Sequence, residues 1–220
     1  MEKIYNGIVI FGEMGAGKDV LAQQFVSLRK NSKIYNMGIL CREMMKISKI
    51  NPAWRNKERY IGQTTADKLR EMNINIMCDY ILALIYESGQ NRYGFNLCGI
   101  TGDDFNKELL KQLALIRNYE LPIIVGGRTI TDFNYFNSKG YLMVGVSISK
   151  EVRTNRLIIR DGKTQVSTNS SLHNTEADAS FIVNNLCQEI IVNDGSITDL
   201  KKRAENLLDK YEFEENLNVE

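Results

Sequence analysis

The sequence predicts an α/β fold, a five-stranded parallel sheet sandwiched by helices, on three observations. Five short apolar runs, at Gly7 to Phe11, Lys33 to Asn36, Pro122 to Val125, Leu142 to Ile148 and Glu189 to Val192, are bounded by turn residues. Segments of helical periodicity separate them, and such alternation implies right-handed crossovers that cover both faces of a parallel sheet. Hydrophobic residues make up 43% of the 220 and charged residues 25%, which suits one sizeable core and is short for two typical domains.

In chain order, the strand Ile8-Val9-Ile10-Phe11 runs into Gly12-Glu13-Met14-Gly15-Ala16-Gly17-Lys18-Asp19, a G-x-x-x-x-G-K turn that opens the helical pattern Lys18 to Arg29. The spacing has a physical purpose. Glycines let the backbone wrap so that successive N–H groups converge on phosphate oxygens, the helix adds its positive end, and Lys18 reaches the β and γ phosphates. The expected nucleotide-binding residues are Gly12, Glu13, Met14, Gly15, Ala16, Gly17, Lys18, Asp19 and Val20, in the manner of a P-loop NTPase. Asp19 stands where a Ser or Thr hydroxyl usually meets magnesium. Its carboxylate is either an Mg²⁺ ligand or a charge that favours the helix N-terminus.

Further helices are predicted at Ile39 to Ser48, Thr65 to Glu87, Asp103 to Asn118, Ile130 to Ser138, Glu151 to Arg160, Glu176 to Leu186 and Thr198 to Tyr211. Three polar stretches, Asn51 to Gln63, Ser88 to Gly102 and Asp161 to Asn174, read as loops or lids. Open sheets bind ligands at the carboxyl ends of their strands, so the motif residues should gather on that edge.

Arginines follow several of these strands. In Tyr35-Asn36-Met37-Gly38-Ile39-Leu40-Cys41-Arg42, Gly38 and Arg42 fall on the glycine and arginine of a T-G-D-x-x-R-like turn, and here the chain begins to resemble the nucleoside monophosphate kinases. Arg59-Tyr60-Ile61-Gly62-Gln63 and Ala66-Asp67-Lys68-Leu69-Arg70 are similar to the R-x-L-L-Q and G-x-x-x-R segments of phage-type deoxynucleoside monophosphate kinases, with Ala66 in the glycine position. Gly126-Gly127-Arg128 with Asp132 resembles a D-x-R-x-x-x-E element whose first acid is replaced by Gly126. The resemblance implies an acceptor site of Arg42, Arg59, Gln63, Arg70, Arg128 and Asp132. Read from the residues alone, Arg42, Arg59 and Arg70 also suit solvated helix faces. A dianionic acceptor held near a second polyanion gives arginine forks their physical reason.

Glu151 to Gly162 reproduces the E-x-R-x-x-R-x-x-x-R-D-G pattern of the family's lid helix, which implies catalytic roles for Arg153, Arg156 and Arg160 beside Lys18. Cations on one helix face there stabilise charge spread over a transferring phosphoryl group; a merely exposed cationic face is the other reading. His173-Asn174-Thr175-Glu176 is similar to the family's H-x-S-E turn, and Thr175 with Glu176 equally suits a helix cap. Asn193 and Gly195, in Ile191 to Ser196, resemble the turn that meets the donor base, or form a simple turn.

The remaining expectations are exclusions. With 28 basic and 27 acidic side chains the chain is not marked as a nucleic-acid binder. Cys41, Cys78, Cys98 and Cys187 lie far apart and His173 is the single histidine, so zinc signatures are absent. With no signal segment and no run near the roughly 20 apolar residues that span a bilayer, a cytoplasmic monomer or homodimer is expected. The expected organisation is one domain over 1–220, with an acceptor-binding helical region at about 38–118 and a lid at about 151–175. The expected activity is transfer of the ATP γ-phosphoryl group, with Mg²⁺, to a nucleoside or deoxynucleoside monophosphate. The alternatives are a kinase of the dephospho-coenzyme A or phosphomevalonate type, and a nucleotide-binding regulator with little turnover.

Overall fold

The structure, a computed structural model, describes residues 4–94, 96–161 and 174–213, without the side chains of residues 92, 93, 160, 161 and 174–176. Five strands, β1 (Ile8–Phe11), β2 (Ser32–Asn36), β3 (Leu121–Val125), β4 (Leu142–Ser147) and β5 (Glu189–Val192), form one sheet in the order β2-β3-β1-β4-β5. Every pairing is parallel, with Ile8 opposite Ile123 on one side of β1 and Leu142 on the other. The five expected strands are therefore present.

Parallel strands buried on both faces need apolar residues at successive positions, because alternate side chains enter opposite layers. In β1, Ile8 and Ile10 join one core with Leu21, Ala22 and Phe25 of α1 (Lys18–Leu28) and Leu200, Ala204, Leu207 and Leu208 of α9 (Ile197–Lys210). Val9 and Phe11 join the opposite core. Its helical partners are Ile81 and Ile85 of α4 (Ile76–Tyr93), Leu113 of α5 (Gly102–Ile116), Phe133 and Phe136 of α6 (Ile130–Ser138) and Ile182 of α8 (Asn174–Asn185). Each such side chain contributes roughly 1.5 to 3 kcal/mol by leaving water.

Between β2 and β3 the helical boundaries differ from expectation. α2 (Ile39–Met45) gives way to a 3-10 turn at Lys46–Lys49, and a second such turn, Pro52–Trp54, is capped by the Asn51 side chain, which accepts from the Ala53 N–H at 3.0 Å. The expected single helix Thr65 to Glu87 is two helices, α3 (Glu58–Met72) and α4, divided at Asn73, whose side-chain oxygen accepts from the Asn75 N–H at 2.9 Å. α3 thus starts inside the expected loop Asn51 to Gln63, and α4 continues into the expected loop after Ser88. It ends at Tyr93, with Gly94 in the left-handed conformation at φ 67°. A helix, α7 (Lys150–Asp161), covers the expected helical segment Glu151 to Arg160. Residues 162–173 of the expected lid, His173 among them, and the side chains of Arg160, Thr175 and Glu176 lie outside what is described.

Candidate functional site

All five strands end on one edge, and the candidate residues follow those ends. After β1 the chain turns through Gly12 to Gly17. Gly15 and Gly17 take φ 85° and 96°, a region that L side chains avoid. A Cβ on Gly17 would lie 2.2 Å from the Asn193 side-chain nitrogen, so the position also requires glycine on grounds of space. The Ala16 N–H donates to the Glu13 carbonyl at 3.1 Å, which tightens the turn. α1 starts without a side-chain cap, leaving its positive end toward the loop. The Lys18 ammonium donates to the Gly12 and Glu13 carbonyls at 2.6 and 2.9 Å, so its charge is held at the loop. Backbone, helix terminus and one cation thus form a cradle whose chemistry suits an anion.

The first two turns of α7 lie against this cradle. Arg153 donates through Nε to the Met14 carbonyl at 2.9 Å and pairs through a terminal nitrogen with the Glu13 carboxylate at 2.9 Å. Leu157, buried and one turn further on, packs against Gly15, where an added Cβ would come within 3.0 Å of it. Arg156 donates to the Asn193 carbonyl at 3.0 Å. Two of the expected lid arginines are therefore at the loop. The packing role of Leu157 was not anticipated; its signal was its place one turn after Arg153 on the same helix face.

Asn193, in the turn expected to meet the donor base, has a buried side chain that donates to the Ala16 carbonyl at 2.7 Å. It braces the cradle from the end of β5. Gly195 is exposed, and a Cβ there would meet the Asp199 carboxylate at 2.8 Å, the carboxylate that completes the capping box of α9 with Ser196.

Across the edge, the turns after β2 and β3 meet. The Met37 N–H donates to the Val125 carbonyl at 2.9 Å, and the Asn36 side chain accepts from the Gly38 N–H at 2.9 Å. Gly126 takes φ 94°, with Asn36 Oδ1 and the Gly38 nitrogen 3.3 and 3.5 Å from where a Cβ would stand. An acidic side chain at this position would be strained and crowded, which accounts physically for the missing carboxylate. Arg42 on α2 and Arg128 follow these turns, and α3 brings Arg70. All three act on Cys41: burial raises its thiol above the ordinary value, while the guanidinium charges of Arg70, Arg128 and Arg42 oppose that rise. The three arginines come from segments remote in sequence. Arg59 and Gln63, both half-buried, fall on the Arg70 face of α3, with Arg59 roughly 16 Å further along the axis at about 1.5 Å per residue.

Asp132, which the resemblance placed beside the acceptor, is 0% exposed, and its oxygens have partners within the protein. Oδ2 accepts from the N–H groups of Arg128 and Thr129 at 2.9 and 3.1 Å and lies 3.5 Å from Arg70, while Oδ1 meets the Cys78 thiol at 3.5 Å. With Thr129 it forms the capping box of α6.

Among the described residues no group of three or more His, Cys, Asp or Glu side chains stands ready for a metal ion. Asp19 is exposed in the first turn of α1. One carboxylate beside this loop would fit magnesium, which keeps several waters and takes other ligands from phosphates. The four cysteines are free. No helix among the described residues is long and apolar enough to cross a membrane.

No protein-family model matches the chain, and no curated protein does. Solved structures similar to it include shikimate kinase from Acinetobacter baumannii in complex with shikimate, at 13% identity, covering 97% of each chain with a TM-score of 0.46. Shikimate kinase from Aquifex aeolicus is 14% identical over 92% of this chain and 96% of its own, with a TM-score of 0.40. Dephospho-CoA kinase from Campylobacter jejuni is 13% identical over 94% and 97%, with a TM-score of 0.40.

Proposed function

We propose that the chain is a phosphotransferase that moves the γ-phosphoryl group of ATP to a nucleoside or deoxynucleoside monophosphate. What supports this reading is the Lys18 loop after β1 and, on the same sheet edge, Arg42 and Arg128 following β2 and β3, with Arg70 of α3 3.5 Å from the Asp132 carboxylate that holds the Arg128 backbone. The loop suits the donor triphosphate and the arginines a dianionic acceptor. An acceptor phosphate oxygen attacks the γ-phosphorus, the bond to the β,γ-bridging oxygen breaks, and ADP leaves as the acceptor becomes a diphosphate.

Lys18, Arg153 and Arg156, with Arg160 from the same helix, form the catalytic set, because cations at the β and γ phosphates stabilise the transition state more than the ground state. Bound Mg²⁺, held through Asp19 and the phosphates, supplies charge neutralisation of the transferring group. A nucleotide-binding regulator with little turnover is favoured by a different observation, Gly126 in a left-handed conformation in place of an acid. Kinases of other small phosphorylated acceptors differ only in the acceptor pocket. ATP consumption measured against a panel of nucleoside monophosphates, dephospho-coenzyme A and phosphomevalonate tests the reading. Turnover with a monophosphate supports it, turnover confined to another acceptor moves the assignment, and ATP binding without turnover leaves the regulator.

A further inference from the structure

Asp132 carries a negative charge to a place from which water is excluded, at the junction of three chain segments. Such a carboxylate needs partners. Its Oδ2 atom supplies three contacts: the Arg128 N–H at 2.9 Å, the Thr129 N–H at 3.1 Å and the Arg70 guanidinium at 3.5 Å. The first two fix the backbone from which Arg128 projects, and the third draws in the end of an α3 side chain that is 19% exposed. Arg70 Nε is buried and has no hydrogen-bond partner among the described residues, so part of the fork remains for something else. A helix cap alone accounts for the backbone contacts and for the Thr129 hydroxyl, which accepts from the Asp132 N–H at 3.1 Å. It does not account for Arg70.

We infer that Asp132 is a positioning residue, which sets Arg70 and Arg128 at the separation needed to grip one phosphate of the acceptor. The inference rests on the acceptor reading above. Its test is a double-mutant cycle on binding of a deoxynucleoside monophosphate, measured calorimetrically for the wild type, Asp132→Asn, Arg70→Ala and the double variant. Each single variant weakens monophosphate binding about tenfold or more, the double variant is no weaker than the worse single within about threefold, and ATP affinity is unchanged. Thr129→Ala, which removes the cap bond and keeps the charge pair, lowers the melting temperature and leaves monophosphate affinity in place. Losses that multiply in the double variant, or a Thr129→Ala protein that loses acceptor affinity as Asp132→Asn does, overturn the positioning role and leave the acceptor reading standing. A wild type that binds no monophosphate removes the acceptor reading itself, and the inference with it. One measurement uses the unmodified chain, so that variant folding does not decide the matter. In nitrogen-15 labelled protein the Arg70 Nε resonance shifts on adding monophosphate, and a resonance that stays in place overturns the inference.

Discussion

The Asn193 side-chain nitrogen donates to the Ala16 carbonyl across 2.7 Å and 177 residues of chain, while the Asn193 carbonyl accepts from Arg156. One residue therefore joins the Gly12 to Gly17 loop, the last strand and α7. Asn193→Ala leaves the Ala16 carbonyl short of a buried donor, a loss of about 1 to 3 kcal/mol. The expected outcome is a lower melting temperature together with weaker ATP binding, read by thermal denaturation and nucleotide titration. Unchanged ATP affinity would show that the brace serves the fold alone.

Lys18→Ala should abolish phosphoryl transfer and leave the fold intact. The side chain is half-buried and donates to loop carbonyls rather than packing in either core. Circular dichroism and the coupled assay together check this, and full turnover in a folded Lys18→Ala protein sinks the phosphoryl-transfer assignment.

Magnesium supplies the next test. Asp19 is exposed on the first turn of α1, and the neighbouring strand end offers glycine where an acid is expected. Asp19→Ala should raise the Mg²⁺ concentration required for half-maximal activity. A metal titration that coincides with that of the wild type assigns the carboxylate to the helix terminus only.

For the acceptor, Arg42→Ala and Arg128→Ala should each raise the Michaelis constant for a monophosphate about 10- to 100-fold, since a charged hydrogen bond contributes roughly 1.5 to 3 kcal/mol. ATP affinity should change little. If both variants lose ATP binding instead, the two anion sites have been assigned to the wrong ligands.

Much of this arrangement was legible in the sequence, because its signals are local. The strands announce themselves as apolar runs, since burial on both faces demands apolar residues at successive positions, and the G-x-x-x-x-G-K spacing places the loop. What escaped was non-local or weakly patterned. α3 buries only Ile61 along its length, so its apolar period is too faint to reveal a start at Glu58. Met72 and Ile74, 77% and 57% exposed, are apolar residues outside any core, and they made the division between α3 and α4 look like continuous helix. Asn193 and Asp132 were marked as functional, but the partners that enclose them, Ala16 and Arg70, come from distant segments. The capping spacing of Thr129 and Asp132 was local and could have indicated the inward-facing carboxylate.

β1 occupies the middle of the sheet, yet its neighbours β3 and β4 start only at Leu121 and Leu142. During synthesis the segment Ile8 to Phe11 therefore emerges with both hydrogen-bonding edges bare, and it must wait for more than half of the chain before either edge is covered. Loop closure of that length is costly before any contact rewards it, which makes such topologies slow to fold and prone to self-association on the way. The centrality of β1 thus leaves the newborn chain's middle strand unpaired for longest, and truncations that remove β3 or β4 should be recovered as aggregates rather than as smaller folded units.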